Sequence, residues 1–217
     1  MKSLLRQIKI SFERETLLFA LLKIFRYGFY LVRSLPLRWS LDAPGLYIGP
    51  KFLLLGTKHL NIGKNFYAHS NLWIEAIPEY KTQKFSPSIT IGDNVSMGDA
   101  VHISCNNKVN IGNNVLFGSN IFVGDHQHGC YSGPNQSHIE ICPALRPLSI
   151  SQGIDIGDNT WIANNVVITG GVTIGRSCII AANSLVNQDF TEGTLVAGSP
   201  ARAIKRFDAE SNSWVKI

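Results

Sequence analysis

Three of the chain's six histidines, His126, His128 and His138, fall inside one polar stretch, residues 125–153. That stretch reads DHQHGCYSGPNQSHIEICPALRPLSISQG and is rich in turn-forming residues. An imidazole titrates near working pH, so its neutral form can take a proton from an attacking hydroxyl. Direct attack by that hydroxyl on a second substrate then needs a donor for the charge that develops and two substrates held in line. No covalent nucleophile is required, and no G-x-S-x-G elbow is present. His126 is the candidate general base, because it directly follows a run of regular units that would fix its backbone. His128, two residues on, is a candidate to share the site. Asp125 or Glu75 would hold the imidazole tautomer, with a backbone carbonyl as the alternative.

The regular units are what must position these groups. From Ile91 to Val186 an aliphatic or aromatic residue recurs in groups at six-residue spacing. The series is Ile91, Met97, Ile103, Ile111, Phe117, Val123, Ile156, Ile162, Ile168, Ile174, Ile180 and Val186. At 45% hydrophobic composition, twelve apolar residues in a row is roughly a one-in-ten-thousand event, so the period is real. The next position is mostly small: Gly92, Gly98, Ser104, Gly112, Gly118, Gly124, Gly157. The fourth position after the aliphatic residue tends to be small or β-branched, as in Val95, Val101, Val115, Ile121, Thr160 and Val166. Period six fits neither a helix nor a long strand. It predicts an all-β parallel solenoid with three short faces per coil, rungs about 4.8 Å apart and two inward residues per unit. Glycine beside the bulky residue suits a corner where a side chain would collide or φ must be unusual. Weaker units at Ile48, Ile62, Ala68 and Ile74 place the solenoid over residues 46–190, in five or six coils, with the excursion loop at 125–153.

The two ends differ from this core. The net charge of +5 is concentrated in residues 1–40, with eight basic and two acidic side chains, against 12 and 13 in the remainder. This charge says little about nucleic acid, and none is expected as a partner. Residues 1–45 form a basic, apolar helical appendage. Lys23 and Arg26 interrupt its apolar stretch, so it should not span a membrane, which takes about 20 uninterrupted apolar residues. It would instead lie on an anionic membrane surface, or cap the open end of the solenoid, or do both. Residues 191–217 form a C-terminal tail carrying Arg202, Lys205 and Arg206. Four cysteines without a paired spacing, and no cleavage site after the first apolar stretch, point to the cytoplasm.

Segments such as IGDNVSMGDAV, IGNNVLFGSNI and IGDNTWIANNVVI resemble the hexapeptide-repeat acyltransferases over residues 46–206. The resemblance implies a left-handed parallel β-helix, although parallel crossovers in general favour the right-handed form. It also implies a homotrimer with active sites between subunits and acetyl-CoA as co-substrate. His126 falls where the sugar O-acetyltransferases of this family carry their base, and GDHQHG resembles the polysaccharide and lipopolysaccharide branch. For the donor, the resemblance points to Trp161 and Asn164 in NTWIANNVVI, Ala182 in IIAANS, Asn187, Arg202 in AGSPARAIKR, and Lys205. For the acceptor it points to IGKNFYAHSN with Tyr67, His69 and Asn71, and Arg146, in the polar excursion, is a further acceptor-binding candidate. His69 stands where the family has asparagine, and Asn187-Gln188 replaces a Thr-Lys pair.

The reading is therefore an O-acetyltransferase acting on a cell-envelope sugar, cytoplasmic and peripheral at the inner membrane. N-acetylation of an amino sugar is the alternative. The γ-type carbonic anhydrases share the solenoid, but their H-x4-H ligand spacing is absent, and no metal is expected. A non-catalytic scaffold is the remaining class.

Overall fold

The computed structural model describes residue 10 and residues 12–217. After one long helix, α1 (Leu17–Ser40), the chain winds into a three-sided parallel column. Its first face begins with Tyr47–Ile48, Tyr67–Ala68, Ser96–Met97, Leu116–Phe117, Trp161–Ile162 and Ile179–Ile180. The second carries Leu53–Leu55, Trp73–Ala76, Val101–Cys105, Ile121–Gly124, Val167–Thr169 and Leu185–Val186. The third carries Leu60–Ile62, Ser88–Ile91, Lys108–Ile111, Ile154–Ile156 and Val172–Ile174. Each strand pairs in parallel with its neighbours one coil above and below, so the sheets run along the column.

The sequence period is the column's interior. All twelve residues of the aliphatic series are buried, none more than 1% exposed. The small series from Val95 to Ser184 is buried beside them. The glycines work by collision, not by backbone angle. A Cβ on Gly92 would lie 2.8 Å from the carbonyl carbon of Gly112 on the next rung. The left-handed backbone instead falls two residues later, on Asn94, Asn114, Asn120, Asn159, Asn165 and Asn183, with φ from 56° to 61°. Asparagine tolerates that region better than other side chains. Here its amides also bond from rung to rung: Asn94 to Asn114 at 3.1 Å, Asn114 to Asn159 at 3.2 Å.

Helix α1 caps the start of the column. Leu37 and Leu41 pack on the core. Arg33 donates to the carbonyls of Ile48 (2.9 Å) and Gly49, and Arg38 donates to Leu46 O at 2.8 Å. The other end closes on strand Thr194–Gly198, parallel to Ile179–Ile180, followed by an antiparallel ribbon of Ala201–Asp208 and Ser213–Lys216. Winding thus continues beyond residue 190, into the segment that the sequence reading assigned to the tail.

Two excursions leave the column, both between the second and third faces. One is residues 125–153. The other, which the sequence reading did not isolate, carries a small hairpin, Glu79–Tyr80 with Gln83–Lys84. Because the Gly92 site is closed by backbone that cannot move aside, Gly92→Ala should cost about 1–3 kcal/mol of stability. A thermal or urea melt reads this directly; an unchanged midpoint would contradict the collision account.

Candidate active site

His126 sits at the corner where the fourth coil breaks off after strand Ile121–Gly124. Its side chain is 10% exposed, and that of Asp125 beside it is fully buried. Asp125 Oδ1 lies 2.9 Å from His126 Nδ1. The same carboxylate accepts backbone N–H bonds from Asn106, Asn107 and Lys108, each at 2.8 Å, and the Cys105 thiol at 3.3 Å. Burial alone would raise the Asp125 pKa. The bonds from His126, Asn106 and Asn107 overcome this and hold the carboxyl below its ordinary value. The same burial, with Asp125 alongside, pushes the Cys105 thiol up and keeps it protonated.

An ionised Asp125 places the imidazole proton on Nδ1 and leaves the Nε2 lone pair facing outward. Ser104 Oγ lies 3.5 Å from Nε2 and donates its own proton to Glu75 Oε1 at 2.7 Å. Strand register makes this line: Glu75, Ser104 and Gly124 occupy one outward row on consecutive rungs. In the adjacent row, His102 stacks on Trp73, with ring centroids 4.1 Å apart, and Trp73 Nε1 donates to Glu75 at 3.2 Å. Burial holds the His102 pKa below the ordinary histidine value, against the opposing pull of Glu75. Phe122 packs edge-on to His102, and its ring covers Gly124, where a Cβ would meet it at 2.5 Å.

Glu75, His102, Ser104, Phe122 and the Asp125–His126 pair line a cleft of about 730 Å³ with His128, Tyr131, Ser149 and Ser151. The excursion forms its outer wall and is pinned from two sides. Gln83 of the hairpin donates to Leu148 O (3.1 Å) and accepts from Leu148 N (2.7 Å), while Tyr80 donates to Ala144 O at 2.7 Å. Arg146, read from sequence as an acceptor contact, is bound within the loop, donating to Tyr131 Oη and to the carbonyls of Ile139 and Ile141. His128 borders the cleft and packs against Tyr80, with ring centroids 5.3 Å apart. His138 instead caps the Glu140 amide at 3.3 Å.

A second groove, of about 410 Å³, brings together Trp161, Asn164 and Ala182, three of the donor contacts expected from sequence, with Leu195. It lies on the first face and its corner with the second. Arg202 and Lys205 are exposed on the adjoining ribbon, where Lys205 aligns with Leu195 and Arg202 bonds Gln188 at 3.3 Å. Asn187 is exposed but does not line the groove. Tyr67, His69 and Asn71 belong to that same edge, not to the His126 cleft. Tyr67 stacks under Tyr47 at 4.9 Å, and His69 pairs with Asp99 at 2.8 Å. The two pockets share no lining residue within one chain. Among the described residues, no group of three or more histidines, cysteines or acids is arranged to hold a metal ion.

A three-faced column with a buried Asp-His pair at an interrupted corner defines a hexapeptide-type transferase. Residues 153–188 match the bacterial transferase hexapeptide (six repeats) model. The chain is 34% identical over 158 residues to WbbJ of Escherichia coli K12, named as a lipopolysaccharide biosynthesis O-acetyl transferase, covering 72% of this chain and 76% of that one. It is 31% identical to the galactoside O-acetyltransferase of Escherichia coli K12, over 69% of this chain and 55% of that protein. The structure of the hexapeptide-repeat acetyltransferase VCA0836 from Vibrio cholerae aligns with a TM-score of 0.51 at 26% identity, over 82% of this chain and 81% of that one. AntD, an N-acyltransferase from Bacillus cereus, shares the fold with a TM-score of 0.61 at 15% identity, covering 82% of this chain and 91% of that one. The chain belongs to the hexapeptide-repeat acyltransferase family, and its column is the left-handed parallel β-helix of that family.

The Asp125 environment yields a pH test. Because its folded pKa is depressed, the stability it contributes is complete above the ordinary carboxylate value of 3.8 and is lost as pH falls through the lower folded value. Asp125→Asn should therefore be less stable than the parent at neutral pH, with the gap narrowing in acid. Denaturant midpoints across that range measure the gap; a constant gap would remove the charge from the account.

Proposed function

We propose that the chain transfers acetyl from acetyl-CoA to a hydroxyl of a cell-envelope sugar, with His126 as general base and no covalent intermediate. The observation that carries this is the Asp125–His126 pair, whose Nε2 opens on the Glu75–Ser104 line inside the 730 Å³ cleft. The relatives named above for O-acetyl transfer to galactosides and in lipopolysaccharide synthesis support the choice of acceptor class.

In this reading Nε2 takes the proton from the acceptor hydroxyl as its oxygen attacks the thioester carbonyl. The imidazolium that forms is stabilised from both ends. Asp125 holds Nδ1–H, and Ser104 Oγ, with its own proton committed to Glu75, offers a lone pair to Nε2–H. The C–S bond then breaks, and the thiolate of CoA takes the proton back from His126. Ser104, one of the small repeat positions in the sequence, acts here as a positioning residue. Glu75 would work through it and not at Nδ1.

The donor groove and the base stand at different corners of one column, so a complete site takes the groove of a neighbouring copy. A homotrimer with the cleft of one chain facing the groove of the next meets this need. Trp161, Asn164 and Ala182 would then bind the pantetheine arm, and Arg202 with Lys205 would face the phosphates. Tyr67, His69 and Asn71, on the same edge, would reach the acceptor from the neighbour. A cytoplasmic reaction, at the inner face of the inner membrane, is part of this reading.

Incubation with radiolabelled acetyl-CoA and candidate envelope glycans, followed by product analysis, tests the reading. Acetyl on an amine of an amino sugar, with hydroxyl analogues inert, would replace the acceptor class. His126→Ala should lower turnover by about 10²–10⁴-fold while shifting the melting temperature little. Retained turnover would overturn the assignment of the base. Ser104→Ala should lower kcat more than it raises the acceptor KM.

A further inference from the structure

Helix α1 has two sides with different fates. One side closes the column, through Leu37, Arg33, Ser34 and Tyr27, which stacks on Tyr47 at 5.4 Å. The other side is left largely exposed. Leu18, Leu22, Phe25, Phe29, Val32 and Trp39 recur at three-, four- and seven-residue steps and form one stripe, with Phe25 76% and Trp39 91% exposed. Side chains of this size are normally buried, and an uncovered row of this length marks a contact surface.

We propose that this stripe docks on an anionic lipid surface, with α1 lying in the plane of the interface. Three observations favour lipid as the occupant. Arg26 flanks the stripe, lining an open apolar groove of about 530 Å³ with Phe19, Leu22, Phe25, Lys23 and Glu15. The surplus of basic over acidic residues in this chain lies within residues 1–40. The stripe is rich in Phe and ends on Trp, the side chains that settle at the boundary between headgroup and acyl chain. No helix among the described residues is long and apolar enough to cross a membrane, so the stripe would lie on the surface. The acidic lipid headgroup is the matching chemistry: it attracts the basic flank while the stripe enters the acyl boundary. The inference does not depend on the acetyl-transfer reading.

The test uses the full chain with vesicles of mixed phosphatidylglycerol and phosphatidylcholine, compared with phosphatidylcholine alone. Co-sedimentation should favour the anionic vesicles by roughly tenfold or more and weaken with added salt. The triple variant Leu22→Gln, Phe25→Gln, Phe29→Gln should lose roughly tenfold or more of that binding. It should keep the parent's melting temperature and its mass by analytical ultracentrifugation. Arg26→Gln should reduce the preference for anionic vesicles while leaving the weaker binding to neutral ones. Absence of vesicle binding by the parent, or equal binding by the triple variant, would overturn the proposal. A fall in solution mass of the triple variant would also overturn it, since the stripe would then be a seam between copies of this chain.

Discussion

A single buried carboxylate holds the working corner of this molecule together. The chain leaves the column at residue 125 and rejoins the third face only at Ile154, so at the corner between them the amides of Asn106, Asn107 and Lys108 need an acceptor other than a regular coil. Unpaired buried amides are costly. Asp125 accepts all three. Because those bonds favour its charged form, it stays ionised while fully buried, and an ionised carboxylate is what fixes the tautomer of the adjacent imidazole. The excursion that opens the cleft therefore creates the need for the very group that orients the imidazole. Asn106 and Asn107 complete the repair by donating through their side chains to Ser149 and Ser151 on the returning strand of the loop.

How much of this can be read from the chain depends on whether a feature is local in sequence. The twelve inward positions were legible because each repeats its neighbour's environment six residues away, and all twelve are buried. The place of His126 beside the interruption was legible because it stands at the end of that repetition. Ser104 was hidden by the same repetition: it occupies a slot where a small residue is the rule, and only its alignment with Glu75 and Gly124 gives it chemistry. Nothing in the spacing reveals that alignment, because the hairpin after Ala76 lengthens one coil relative to the next. Glycine and asparagine divide the two demands of the corner that the sequence reading assigned to glycine alone, close approach and left-handed backbone.

Arg146 shows the converse limit. A basic residue in a polar excursion suggests a ligand contact, yet a long loop has its own carbonyls to satisfy; two of the guanidinium's nitrogens serve that need, and the third donates to Tyr131 Oη. Tyr67 shows it again, since the family segment around it lies on a different edge of the column from His126 of its own chain. Its ring continues a stack begun by Tyr27 of α1 and Tyr47 of the first rung. Residues that share a site in an assembly need not share one in a chain, and a linear pattern carries no sign of the difference.

The clasp between Gln83 and Leu148 has a wider implication. A primary amide that both gives and receives at one residue's backbone imitates a strand partner, so the far wall of the cleft is knitted to a hairpin born two coils earlier. The rigidity of that wall is borrowed from the hairpin. Variation in the hairpin would thus reshape the cleft without altering any group that lines it.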